Sequence, residues 1–178
     1  MEDRQIFDVL IGLVTGTFAV VFITLIFVFL FLWLVYFLLT AFSLYHIAQR
    51  RGITHPFLAW IPFAQTYLFA EIIGKELTVG TKTIPQFPWI FIGINYGSFI
   101  IRRAIGLIPF VGLLLNLLLA PAIYAVDIYV QYRFYKSFAT GNEVIFTILS
   151  AIIPISHPII LLYLRNKPFA EEAPVVMT

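Results

Sequence analysis

The chain has 178 residues, 61% of them hydrophobic and 11% charged, against about half and about a quarter in an ordinary soluble domain. Its formal charge of +2 is scattered in small groups, which excludes a nucleic-acid surface, and the absence of cysteine excludes disulfides, thiolate metal sites and cysteine nucleophiles. Membrane lipid is the expected medium: one compact all-α domain over residues 1–168, a polytopic helical bundle of four to five transmembrane helices, followed by a short flexible tail over 169–178.

The start, Met1-Glu2-Asp3-Arg4, is acidic on balance, and the apolar stretch behind it exceeds a signal-peptide core, so it reads as retained. No charged residue occurs from Val9 to Gln49. As one helix, that run overreaches a hydrocarbon core of about 30 Å roughly twofold. Gly12 to Thr17 is its only weak point. The preferred reading is one spanning helix from about Gly16 to Gln49 behind an interfacial or helical extension, and a tight hairpin of two spans is the alternative. Gly52 stops the helix behind Arg50 and Arg51.

Thr54 and Pro56 open the next apolar segment, to Gly74, and Pro62 interrupts it. The carbonyl that this proline frees must be satisfied inside protein or by a break, because hydrocarbon cannot bond it. Lys75 to Phe87 is a polar connection, Pro88 to Ile101 is apolar, and Arg102 and Arg103 close it. Ala104 to Val126 carries Pro109, Gly112, Asn116 and Pro121 before a tyrosine-rich stretch to Phe138. Gly141 and Asn142 turn the chain into a last span, Val144 to Leu164, with Pro154 and Pro158 inside it. Placing Arg50/Arg51, Arg102/Arg103 and Arg165/Lys167 in the cytoplasm gives a five-helix path with the N-terminus outside and the C-terminus inside. Four spans with a re-entrant second segment is the rival. Ile-Pro steps at Pro62, Pro109 and Pro154 recur at intervals of 47 and 45 residues, the spacing of an internal duplication or of chance.

Polar residues inside apolar segments are the functional candidates. Tyr124, Asp127, Gln131 and Tyr135 share one helical stripe, and Tyr36, Thr40, Ser43 and His46 form a second. In lipid two such stripes should face each other or a wet cleft, as interhelical glue or as a path for a small polar ligand or proton. Gln65 and His157 belong to the same expected polar seam. Glu71 stands four residues before Lys75, the order of a helical ion pair. Gly12/Gly16 and Gly93/Gly97 place small residues four apart, where helices can approach closely within the chain or between copies. His46, His55 and His157 lack the spacing of a metal site, so no metal and no cofactor are expected. No nucleophile elbow, paired intramembrane acids or phosphate loop is present, so no catalytic residue is assigned.

The stretch from Arg51 to Gly74, with Gly52-Ile-Thr-His-Pro56-Phe57 leading to Ile61-Pro62 and then Gln65, resembles the signature of a family of small, uncharacterised multi-pass bacterial membrane proteins, a domain of unknown function. The stretch from Tyr132 to Lys167, with its Gly-Asn turn and proline-containing final helix, is similar to that family's close. Members commonly carry Asn where this chain has Gln65. The resemblance implies a bacterial plasma membrane and no particular activity. The leading expectation is a non-enzymatic membrane protein acting by association, as scaffold, accessory subunit or regulator, with a homodimer or a larger membrane-protein partner. A small dimeric transporter or channel is the alternative, and a membrane enzyme comes third.

Overall fold

The computed structural model describes residues 2–79, 81–108 and 110–170, with the side chains of 2, 3 and 5–10 outside that description. The chain is mostly helical and divides into two compact units, Met1–Phe37 and Leu38–Thr178. Two helices, over Ile11–Arg50 and Val111–Lys136, are long and apolar enough to cross a membrane.

Helix α1 runs unbroken over Glu2–Arg50. Gly12 to Thr17 stays helical and does not open into a hairpin, and the hydroxyls there bind the helix itself. Thr15 donates to the Ile11 carbonyl at 2.7 Å and Thr17 to the Leu13 carbonyl at 2.8 Å. Thr24 does the same to Val20, so every described hydroxyl of this stretch is closed off within the helix. The first unit is this helix alone, and every side chain from Ile11 to Val35 is exposed. With apolar residues all round it, it has no face that water would accept.

Burial begins where α1 enters the second unit. Ala41, Leu44, Ile47 and Ala48 recur at helical spacing and are buried in its core. A 3₁₀ helix, Pro56–Trp60, follows, and Ile61 is extended before α2 starts over Pro62–Ile73. The expected proline defect is therefore a full break. Gln65 repairs it: its backbone N–H bonds the Ile61 carbonyl at 3.0 Å, and its side-chain Nε2 donates to the Ala59 carbonyl at 2.7 Å. A short antiparallel hairpin, β1 Leu77–Val79 with β2 Lys82–Ile84, occupies part of the polar connection from Lys75 to Phe87.

Helix α3, Phe87–Ile92, continues through a π-helical turn, Gly93–Gly97, into α4, Ser98–Ile105. It runs antiparallel to α2. The Phe63 ring meets Tyr96 and the Tyr67 ring meets Trp89, while the Phe87 N–H bonds the Lys75 carbonyl. Helix α5, Val111–Lys136, returns after a tight turn at which a Cβ on Gly112 would collide with the Ile105 carbonyl. Only glycine fits that crossing.

The expected single span from Val144 to Leu164 is instead two short helices, α6 Glu143–Ile152 and α7 Ser156–Leu164. Pro154 cannot supply the N–H that would carry α6 onward, and Ile153 is already non-helical. The chain then doubles back: Phe146 near the start of α6 and Tyr163 near the end of α7 bring their rings to 5.9 Å. Ends of this hairpin meet α1, whose Arg50 donates to the Arg165 and Lys167 carbonyls at 2.6 and 2.9 Å. Pro62 and Pro154 thus both stand where helices break; Pro109, the third of the spaced prolines, lies outside the described residues.

Aromatic stacking ties these pieces together. Phe69 of α2 stacks on Phe134 of α5 at 4.1 Å, and Phe138 and Phe169 close the layer. Phe169, the first residue of the expected tail, is fully buried, and the Ala170 N–H bonds the Ser137 carbonyl. The rest of that tail, 171–178, lies outside the described residues.

Candidate binding cleft beside the π-helical turn

Helix α5 distributes its polar stripe among three neighbours. Tyr124 donates to the Ala151 carbonyl of α6 at 2.8 Å. One turn on, Asp127 accepts from Asn95 Nδ2 at 3.3 Å. The Tyr135 hydroxyl lies 2.7 Å from Ser150 Oγ and 2.8 Å from His157 Nδ1, so it bridges both arms of the α6–α7 hairpin. Gln131 faces the same interior with its Oε1 buried and without a hydrogen-bond partner among the described residues, and Ser156 Oγ is in the same position.

Thr40 and Ser43 are buried, but Ser43 donates to the Leu39 carbonyl of its own helix at 2.7 Å. His46 is exposed and stands edge-on to the Phe42 ring. Tyr36 falls in the first unit and is half-buried. Of the expected seam, then, Tyr135 and His157 come together, Asp127 and Tyr124 bind neighbouring helices, and Gln65 serves the break at Pro62. Among the described residues no group of histidines and acids is placed to hold a metal ion. Gly12, Gly16, Gly93 and Gly97 have open space where a Cβ would stand, so no described part of the chain packs into them.

Three residues of the site carry signals that the sequence reading did not connect. The π turn, one residue wider than an α turn, is held by α2 through Tyr96, whose hydroxyl lies 3.1 Å from Thr66 Oγ1. It aims Asn95 at Asp127. Arg102, expected only to close its segment, reaches α5, where its Nε donates to Asn116 Oδ1 at 2.9 Å. Asn116 Nδ2 in turn donates to the Gly112 carbonyl at 2.8 Å. Asn95, Arg102, Asn116 and Asp127 line one cleft of about 980 Å³ with Phe99 and Ile123 as apolar walls. A second recess of about 420 Å³ adjoins it at Pro121, sharing Arg102 and Asp127. Charged and amide groups converging on an apolar cleft are the usual make-up of a small-ligand site.

No protein-family model, curated protein or solved structure matches the chain.

Proposed function

We propose that this chain is a multi-pass protein of a bacterial plasma membrane that acts by association, as a scaffold, accessory subunit or regulator of a membrane assembly. The bare surface of α1 carries the reading. Every side chain from Ile11 to Val35 is exposed, whereas Ala41, Leu44, Ile47 and Ala48 are buried in the second unit's core. The exposed stretch extends about 38 Å at about 1.5 Å per residue, which fits a core of about 30 Å when the helix tilts by about 40°. Gly12 and Gly16 leave open space on that stretch, where a helix of a second copy or of another membrane chain can approach closely.

Charge placement favours a particular path. Arg51, Arg133 and Lys136 line one recess with Ile73, and Arg50 bonds the carbonyls of Arg165 and Lys167. With that end in the cytoplasm, α1, α3–α4 and α5 cross, while the 3₁₀–α2 and α6–α7 hairpins re-enter from the cytoplasmic side. The N-terminus is then outside and the C-terminus inside. Eight of the eleven Lys and Arg residues fall inside, leaving Arg4, Arg102 and Arg103 outside. A five-crossing path divides the same residues almost evenly, and for that reason we favour three crossings and two re-entrant hairpins.

Affinity purification from native membranes in mild detergent tests association. A stoichiometric partner or a stable homodimer is expected, and recovery as a lone monomer would refute it. A second reading, a small transporter or channel for an ion or small polar solute, is favoured by the polar cleft beside helices broken at proline, a known device of transporters. Solute flux in liposomes that disappears in Asp127→Asn would put it first.

A further inference from the structure

We infer that the cleft between α4 and α5 is a binding site for a zwitterion, a ligand that offers an oxyanion to Arg102 and an ammonium group to Asp127. Unpaired charges within a membrane protein are costly, and opposite charges in one low-dielectric cleft pair with each other when they can. Here no ion pair joins Arg102 to Asp127 among the described residues. Each is instead pinned by a neutral amide: Arg102 by Asn116 through Nε, and Asp127 by Asn95 through Oδ1. The amides are anchored in turn, Asn116 on the Gly112 carbonyl and Asn95 on the Phe91 carbonyl at 3.2 Å. That leaves the terminal guanidinium nitrogens and the second carboxylate oxygen without a described partner, both in a space that fits a ligand of many atoms.

The spacing sets the size of the ligand. Asn95, which holds the acid, and Arg102 are seven residues apart on one continuous helical path, about 10 Å along the axis. On α5 the corresponding pair, Asn116 and Asp127, is eleven residues or about 16 Å apart, so the ligand bridges what the two charged side chains leave of a span of roughly 10 to 16 Å. Arg103 also lines the cleft, its guanidinium lying 5.4 Å from the Phe99 ring centroid. Two guanidinium groups against one carboxylate complement a phosphate-type oxyanion beside a single ammonium group, with Phe99 and Ile123 accepting a short hydrocarbon link. Phosphoethanolamine has this chemistry, whether free in water or as the head of phosphatidylethanolamine.

This deepens the transporter reading only by naming the ligand of its cleft; binding is measured without transport, so its failure is separate from a failure of flux. The full chain is placed in phosphatidylglycerol nanodiscs. One arm carries a small fraction of phosphatidylethanolamine and is read by native mass spectrometry of retained lipid; the other adds radiolabelled phosphoethanolamine and is read by equilibrium dialysis. Saturable binding in either arm is expected and identifies the source. Asp127→Asn should weaken zwitterion binding about tenfold, the scale of one lost charge contact. It should leave retention of phosphatidylglycerol, an anion without ammonium, unchanged. Arg102→Gln should weaken both. If Asp127→Asn is not recovered folded, Asp127→Glu must keep the preference for the zwitterion. Absence of binding in both arms, an equal loss for zwitterion and anion in Asp127→Asn, or loss of the preference in Asp127→Glu overturns the inference.

Discussion

Gln65→Leu should destabilise the protein by about 1–2 kcal/mol, the cost of orphaning one buried carbonyl after allowing for the amide that no longer has to be desolvated. The reasoning starts at Pro62, which has no N–H and breaks the helix behind an extended Ile61. The Ala59 carbonyl then receives the Gln65 amide at 2.7 Å, and Ala59 is wholly buried, so water cannot replace that donor. Leucine keeps the volume and the apolar stem but donates nothing. A loss of this size shifts the folded-to-unfolded ratio about 5- to 30-fold. Titration with dodecyl sulfate in mixed micelles, followed by tryptophan fluorescence, measures it, and Trp60 sits in the affected 3₁₀ helix. Thr78→Val, which removes an exposed 3.4 Å contact between strands, is the control and should change stability by less than about 0.5 kcal/mol. Gln65→Leu matching the control would refute the claim that this side chain repairs the break.

Tyr135→Phe leaves Ser150 and His157 without their shared partner and should cost about 2–3 kcal/mol in the same titration, with loosening of the α6–α7 hairpin visible as faster amide exchange. Gly112→Ala drives a Cβ into the Ile105 carbonyl and should lower the yield of folded protein sharply, whereas Gly93→Ala and Gly97→Ala, which meet open space, should fold normally and reduce only recovery of a partner or dimer. The chain has no native cysteine, so single cysteines can be labelled directly. Lys82→Cys, Ser137→Cys and Asn166→Cys should react with an impermeant maleimide from one side of the membrane and Leu107→Cys from the other; a five-crossing path instead separates Ser137 from Asn166.

What the sequence made legible was local. A run with no charge from Val9 to Gln49 gives a helix long and apolar enough to cross a membrane, and the absence of proline keeps that helix continuous. Pro62 and Pro154 announce breaks because the missing N–H is a property of the residue itself. The direction of the chain after a break is not local. Reversal of α6 into α7 depends on Phe146 meeting Tyr163, and the antiparallel course of α2 depends on Tyr67 meeting Trp89. Periodicity carries no record of such long-range contacts.

The polar residues divide along the same line. Asp127 stood out because a carboxylate in an apolar helix is costly to leave unbonded, and Asn95 donates to it. Ser43 is buried, and its hydroxyl bonds its own helix, which an apolar-period reading does not register. Asn95 was read only as the middle of a glycine pair, because an α-helical wheel misplaces every side chain past a π turn. Arg102 lay at the end of an apolar run, where a terminal cation at the interface is the ordinary expectation, and its bond to Asn116 requires the α4–α5 turn that Gly112 permits.

The concentration of polar groups on α5 follows from its neighbours. A hairpin of two short helices leaves carbonyls and polar side chains at its tip, and where the tip packs against protein no water competes for them. Those groups must be met by a helix that passes the tip. Helix α5 is that helix for α6–α7: Tyr124 takes the Ala151 carbonyl just before the tip, and Tyr135 takes Ser150 and His157 on either side of it. Between those two tyrosines, Asp127 turns to the π turn and Gln131 keeps a free buried oxygen. The two tyrosines are thus accounted for by repair of a broken helix. Asp127 is not, since the Asn95 amide that binds it is already bonded to the Phe91 carbonyl and the π turn has no broken end to mend. An acid that repairs no broken helix, beside an arginine with which it forms no ion pair among the described residues, is the part of the stripe that the repair of the hairpin leaves over.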